Sequence, residues 1–186
     1  NAGTGSGIGQ NNTAIGIDAL TTPRGAESIV AIGRNAGRHI TKSSQSGVYS
    51  VLIGNNTNYN NTGGSQNIAI GWNVGGASSA AQTNAVMIGF RAADAGPGPT
   101  NSIVIGTSVF GGVSGNHPQY VTAVGQQALY GSASTTTGIN GSVAIGHQSL
   151  YSITTGTNVA MGYQSGYSIN SGTQNTLIGY QAGYNV

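Results

Sequence analysis

The sequence predicts an all-β fold, a parallel solenoid of about ten coils stacked in a single column. Three observations predict it. A short apolar block closing on glycine recurs ten times along the 186 residues. Each block is four or five residues long and β-branched, which suits a strand and is too short for a helix. The segments between blocks are rich in Gly, Asn, Ser and Thr and hold all four prolines (Pro23, Pro97, Pro99 and Pro118), the residues of turns. A block of this size buries nothing by itself. Stacking coil on coil, with strands about 4.8 Å apart, buries a continuous core and makes a rod on the order of 45–50 Å long.

Residues 1–7 read as an N-terminal tether, and 8–186 as the repeat domain of what is expected to be a longer fibre chain. Ile8-Gly9 is a frayed block ahead of the series, which opens with Ala14-Ile15-Gly16. Ala31-Ile32-Gly33 follows after 17 residues, and Leu52-Ile53-Gly54 after 21. Ala69-Ile70-Gly71, Met87-Ile88-Gly89 and Val104-Ile105-Gly106 keep spacings of 17, 18 and 17. Ala123-Val124-Gly125 and Ala144-Ile145-Gly146 come after 19 and 21, then Ala160-Met161-Gly162 and Leu177-Ile178-Gly179 after 16 and 17. A solenoid keeps strands in register and lets loops absorb extra residues. The long spacings therefore place insertions at Arg38–Gly47, Gly111–Tyr120 and Tyr130–Gly141, which are expected to bulge from the rod. The glycines Gly16, Gly33, Gly54, Gly71, Gly89, Gly106, Gly125, Gly146, Gly162 and Gly179 are the structural markers of the repeat.

Alternation within the block separates two faces. Positions one and three before the glycine, such as Val30 and Ile32 or Val143 and Ile145, point one way. Position two points the other way and is small in most coils (Ala31, Ala69, Ala144) and larger in the rest (Leu52, Met87, Val104, Leu177). A strand apolar on both faces is buried on both. A coil of 16–21 residues has one interior, so the second face needs a partner and an oligomer is expected.

Composition excludes several functions. Five basic and three acidic residues give 4% charged residues and a net charge of +2, too little for a nucleic-acid footprint. Cysteine is absent, so disulfides and thiolate metal sites are ruled out. No apolar run approaches a membrane span. The three carboxylates, Asp18, Glu27 and Asp94, have no close carboxylate neighbour in sequence, whereas glycoside cleavage needs a positioned pair in a cleft. His39, His117 and His147 are scattered without metal-ligand spacing. The chain is read as non-enzymatic, with no cofactor and no metal.

The blocks Asn67-Ile68-Ala69-Ile70-Gly71 and Ser142-Val143-Ala144-Ile145-Gly146 resemble the repeat of the YadA-type trimeric autotransporter adhesin head, which phage tail fibres also carry. The resemblance covers roughly residues 8–186. It implies a left-handed parallel β-roll, three chains around a threefold axis, and attachment to a cell-surface glycan or protein receptor from an extracellular position on a bacterium or virion. The coils here are longer than the family's, which run to about 14 residues, and no heptads of a coiled-coil stalk occur.

Equal offsets from the repeat glycine form columns in a stacked roll. Two residues after it stand Gln127, Gln148, Gln164 and Gln181, preceded by Asp18, Asn35, Asn56, Asn73, then Arg91 and Ser108; stacked amides hydrogen-bond along such a rod. Five residues after it stand Tyr130, Tyr151, Tyr167 and Tyr184, and one residue after it His147, Tyr163 and Tyr180, with Trp72 and Phe90 further up. Tyrosine offers a flat apolar face and a hydroxyl for contact with sugars or proteins, so these six tyrosines are a candidate receptor-binding column. The bland alternative is that stacked tyrosines simply cover the roll. Arg34, Arg38, His39 and Lys42 form a candidate cationic loop for an anionic surface polysaccharide, multivalent in a trimer; the alternative is a solvated loop.

The leading reading is a trimeric fibre head or shaft segment that attaches to a host or cell surface. A purely structural extracellular filament or spacer is the competing class. An ice-binding solenoid needs a regular threonine face, and Thr13, Thr122 and Thr176 are too sparse to make one.

Overall fold

Each glycine-closed block forms a strand in the computed structural model, which describes residues 9–21, 25–40, 49–76, 82–94, 96, 98–112, 118–131 and 138–185. The strands are β1 (Thr13–Ile15), β2 (Val30–Ile32), β3 (Val51–Asn55), β4 (Ile68–Trp72), β5 (Val86–Phe90), β6 (Ile103–Ile105), β7 (Thr122–Val124), β8 (Val143–Ile145), β9 (Val159–Met161) and β10 (Thr176–Ile178). They make one ten-stranded parallel sheet in sequence order, a β-solenoid without a helix among the described residues. Register is strict: Ala31 pairs with Leu52, Leu52 with Ala69 and Ala69 with Met87. Equal offsets are therefore spatial neighbours. The expected tether at 1–7 and much of the three expected insertions (41–48, 113–117 and 132–137) lie outside the described residues.

The repeat position is glycine for two reasons. Its φ runs from +122° at Gly16 to +138° at Gly106, a region that side chains rarely adopt. A Cβ at Gly125 would also sit 2.5 Å from the carbonyl oxygen of Gly146 in the next coil. Beyond it the chain turns on two left-handed residues. The residue at offset two has φ of 50–57° in every coil, from Asp18 to Gln181, and offset four repeats the conformation. Each offset-two N–H donates to the offset-one carbonyl of the preceding coil, as from Gln148 to Gln126 at 2.9 Å, so the turn stays within the hydrogen-bonded ladder.

The core is one column of side chains wide. The residue two before the glycine is buried in β2 through β9, and the offset-four residue faces it from the turn. The two positions trade volume. Where offset four is Leu20, Phe110, Leu129 or Leu150, the strand supplies Ala14, Val104, Ala123 or Ala144. Where the strand supplies Met87, the turn supplies Ala93. Where both are small, a third side chain enters: a Cβ on Gly37 would meet Ile40 and Leu52, each at 2.8 Å, and one on Gly166 would meet Leu150 at 2.9 Å. Close packing limits the combined volume of the two positions, and the bulkiest pairs are Val104 with Phe110 and Leu52 with Asn58.

That arithmetic settles which of the two apolar faces is interior. The alanine-rich face is inside. The Ile/Val face turns outward, and in the single chain Ile15, Ile103 and Ile178 keep 57%, 43% and 68% of their surface exposed.

Candidate functional site

The offset-two column is a ladder of amides. Gln148 Nε2 donates to Gln127 Oε1 at 2.9 Å, Gln164 to Gln148 at 2.8 Å and Gln181 to Gln164 at 3.0 Å. The chain of donors and acceptors runs unbroken through the last four coils. Higher up, Asn35 Nδ2 donates to Asn56 Oδ1 at 2.8 Å, and Asn73 Nδ2 to Asp94 Oδ1. No hydrogen bond joins Asn56 to Asn73 through their side chains, so the ladder is interrupted there.

The sequence columns of tyrosine are real columns. Tyr130, Tyr151, Tyr167 and Tyr184 stack with ring centroids 5.0–5.1 Å apart and planes within 11° of parallel. They are half-buried, and Tyr151 and Tyr167 each have both ring faces covered by a neighbour. Their edges and hydroxyls, not their faces, meet solvent. Burial first, then the neighbouring Tyr130 and Tyr167, raise the Tyr151 phenol above its ordinary value. Tyr163 stacks between His147 and Tyr180 at 5.2 Å on either side, and Tyr180 is 73% exposed. This second column belongs to the outward Ile/Val face by alternation, as do Trp72 and Phe90, which stack at 4.9 Å.

The cationic candidates divide. Lys42 lies outside the described residues. His39 packs edge-on against Tyr59 with centroids 5.2 Å apart, and burial, helped by the charge of Arg38, holds its imidazole below the ordinary value. Arg38 sets its guanidinium carbon 5.8 Å over the Tyr59 ring, and its Nη1 donates to the Tyr59 hydroxyl at 3.4 Å. Arg34 is exposed. Arg34 and Arg38 border an open groove of about 460 Å³ whose other walls are Asn35, Asn56, Tyr59, Asn60, Asn73, Gly76 and Asp94. The Asp94 carboxylate is already engaged, since it also accepts from Arg91 Nε at 2.8 Å. The groove is therefore net positive and lined with amides.

A second ladder was missed by reading offsets after the glycine only. Four residues before it, an Asn or Ser side chain, buried in every case but the half-buried Asn12, accepts the backbone N–H of the equivalent residue in the next coil. Asn12 accepts from Ile29, Ser50 from Asn67, Asn67 from Ala85, Ser102 from Val121, Ser142 from Asn158 and Asn158 from Asn175, all at 2.9–3.2 Å. Asn158 Nδ2 meanwhile ties down the carbonyl of Gly172 at 2.7 Å. The signal was available: Asn or Ser holds that offset in seven coils.

Among the described residues no three His, Asp or Glu side chains gather as a metal site. In comparisons with known proteins, no family model, no curated sequence and no solved structure matches this chain.

Proposed function

We propose that this chain is a non-enzymatic segment of an extracellular fibre, wound as a left-handed roll, that trimerises and attaches to a glycan or protein on a cell surface. The observation that carries the reading is the outward face of the sheet. Two columns, β-branched but for Met161, run its whole length, and a third carries the aromatic stacks Trp72–Phe90 and His147–Tyr163–Tyr180, with Ile68, Trp72, Phe90, Ile103 and Tyr163 exposed. A contiguous apolar face of that extent on a soluble chain marks an interface. Its partner is another copy of the same chain, because an in-register solenoid presents the same spacing to its own copy along the full rod. The resemblance to the trimeric adhesin head and tail-fibre repeat supports three copies. Tyr163 and Tyr180 then belong to the seam between subunits, and receptor contact falls to the surfaces beyond the sheet face, where threefold repetition multiplies weak contacts.

Light scattering on the purified chain tests the assembly. The expected mass is three times that of the chain, and replacing Ile70 and Ile105 by Lys, both outward on the sheet, abolishes the trimer. A monomer at micromolar concentration removes the reading. Binding of the trimer to bacterial cells and glycan arrays tests attachment, and a trimer that binds neither leaves a spacer.

A further inference from the structure

We propose that the offset-five tyrosine column is a linear binding site for a neutral, β-1,4-linked polysaccharide lying along the rod, one sugar to a coil. The inference rests on the attachment reading above and names its ligand class. Charge points to a neutral ligand. Residues 95–186 hold no Lys, Arg, Asp or Glu, and the whole column from Tyr130 to Tyr184 lies among them. A charged polymer finds no counter-charge there, so recognition falls to hydrogen bonds and apolar edges. Stacking fixes which part of each ring is offered. Tyr151 and Tyr167 are covered above and below by rings 5.0–5.1 Å away. The phenol hydroxyls are left on the edge, one per coil. Among the described residues, the hydroxyls of Tyr130, Tyr151, Tyr167 and Tyr184 have no hydrogen-bond partner. Near-parallel rings carry them at close to the ring interval.

The amide ladder runs beside this file of hydroxyls. Offsets two and five touch across the turn, as the Arg91–Asp94 ion pair shows at 2.8 Å. Gln148 and Gln164 each use one N–H and one oxygen lone pair on the neighbouring rungs and keep one of each. Successive coils therefore repeat one phenol hydroxyl and one spare amide N–H at an interval of about 5 Å. A chain of pyranoses joined through equatorial 1,4 bonds is extended. It advances by one ring and one bridging oxygen per sugar, close to that interval, with hydroxyls along both edges. Successive sugars are turned over, and a phenol hydroxyl, which both donates and accepts, serves either orientation. Weak contacts then accumulate coil by coil without bending the ligand. An α-1,4-linked chain of the same sugars curls and loses register. The column starts where Gly111 gives way to Tyr130, so the site is four sugars long.

Calorimetry and NMR titration on the assembled protein test the site with cello-, chito- and malto-oligosaccharides of two to six sugars. The two β-1,4-linked series are expected to tighten about tenfold from two sugars to four and to level off beyond four, at one oligosaccharide per chain. Binding of only one of them upholds the shared backbone and identifies the side group accepted. Maltotetraose is expected to bind about tenfold more weakly than cellotetraose. Tyr151→Phe combined with Tyr167→Phe keeps both rings in the stack, removes two hydroxyls and weakens binding about tenfold. Tyr49→Phe, at an exposed tyrosine outside the column, leaves binding unchanged. The proposal is overturned by absence of binding of both β-linked series, equal affinity for maltotetraose and cellotetraose, no gain from two sugars to four, or full binding by the double Phe variant. A trimer that adheres to cells yet ignores β-1,4-linked sugars sinks this inference alone. A chain that binds them through the column but stays monomeric keeps the site and removes the trimeric fibre reading.

Discussion

Replacing Gly125 by Ala tests whether coil-to-coil contact, and not backbone conformation alone, requires the repeat glycine. Gly125 has φ of +132°, a conformation whose strain in an L-residue is about 1–3 kcal/mol. The new methyl also lies 2.5 Å from the Gly146 carbonyl oxygen, which is backbone held in the sheet ladder and cannot swing aside. Forced overpacking of that kind adds about 1–3 kcal/mol, so the total loss is about 2–6 kcal/mol. Gly179 is the internal control. Its φ is +127°, yet nothing lies within 4 Å of its Cβ position, so Gly179→Ala carries the strain without the clash, about 1–3 kcal/mol. Gly141→Ala, in mid-rod with φ of +74° and only ordinary contact to Thr157 at 3.4 Å, guards against the lower stability of an end coil. Urea denaturation followed by circular dichroism measures all three. The expected order places Gly125 last in stability by about 1–3 kcal/mol over Gly179. Equal losses at the three positions refute the argument and leave φ as the sole reason for glycine.

The interior ladder should outweigh the visible one. Asn158→Ala strips partners from the Asn175 N–H and the Gly172 carbonyl beneath a buried side chain and is expected to cost about 2–4 kcal/mol, whereas Gln164→Ala, in the part-exposed ladder where water substitutes, costs about 1 kcal/mol; the same denaturation series compares them, and equal costs contradict the ranking. Alkaline pH should loosen the tyrosine stack. The folded Tyr151 phenol titrates above its usual value of 10.0, so the unfolded chain releases its proton first; stability holds below that pH and falls as pH rises through the folded value. Tyr151→Phe should flatten the decline in midpoint above pH 10, and an unchanged slope counts against the stack as its source.

The amide and tyrosine columns divide the rod into a regular and an irregular part. In the last coils every amide and every ring in these columns is engaged by its neighbour, which rigidifies the surface. Ahead of those coils both columns are interrupted, the amides by Arg91 and Ser108 and the rings by Gly76, Asp94 and Gly111.

The sequence alone determined the strands, their order, their parallel register and the aromatic and amide columns. The reason is that parallel in-register stacking turns an equal offset in sequence into adjacency in space, so the list of offsets is already a list of neighbours. Tyr130, Tyr151, Tyr167 and Tyr184 were legible as a stack on that ground, as was the Gln127–Gln181 ladder. Offsets do not carry depth. Both faces of each strand are apolar, and only the narrow width of the coil, which limits the volume of each layer, turned Ala31, Ala69 and Ala144 inward and left Ile15, Ile103 and Ile178 outside. The buried acceptor column at Asn67 and Asn158 needed the same knowledge of what is interior, since Asn and Ser are equally at home in exposed turns.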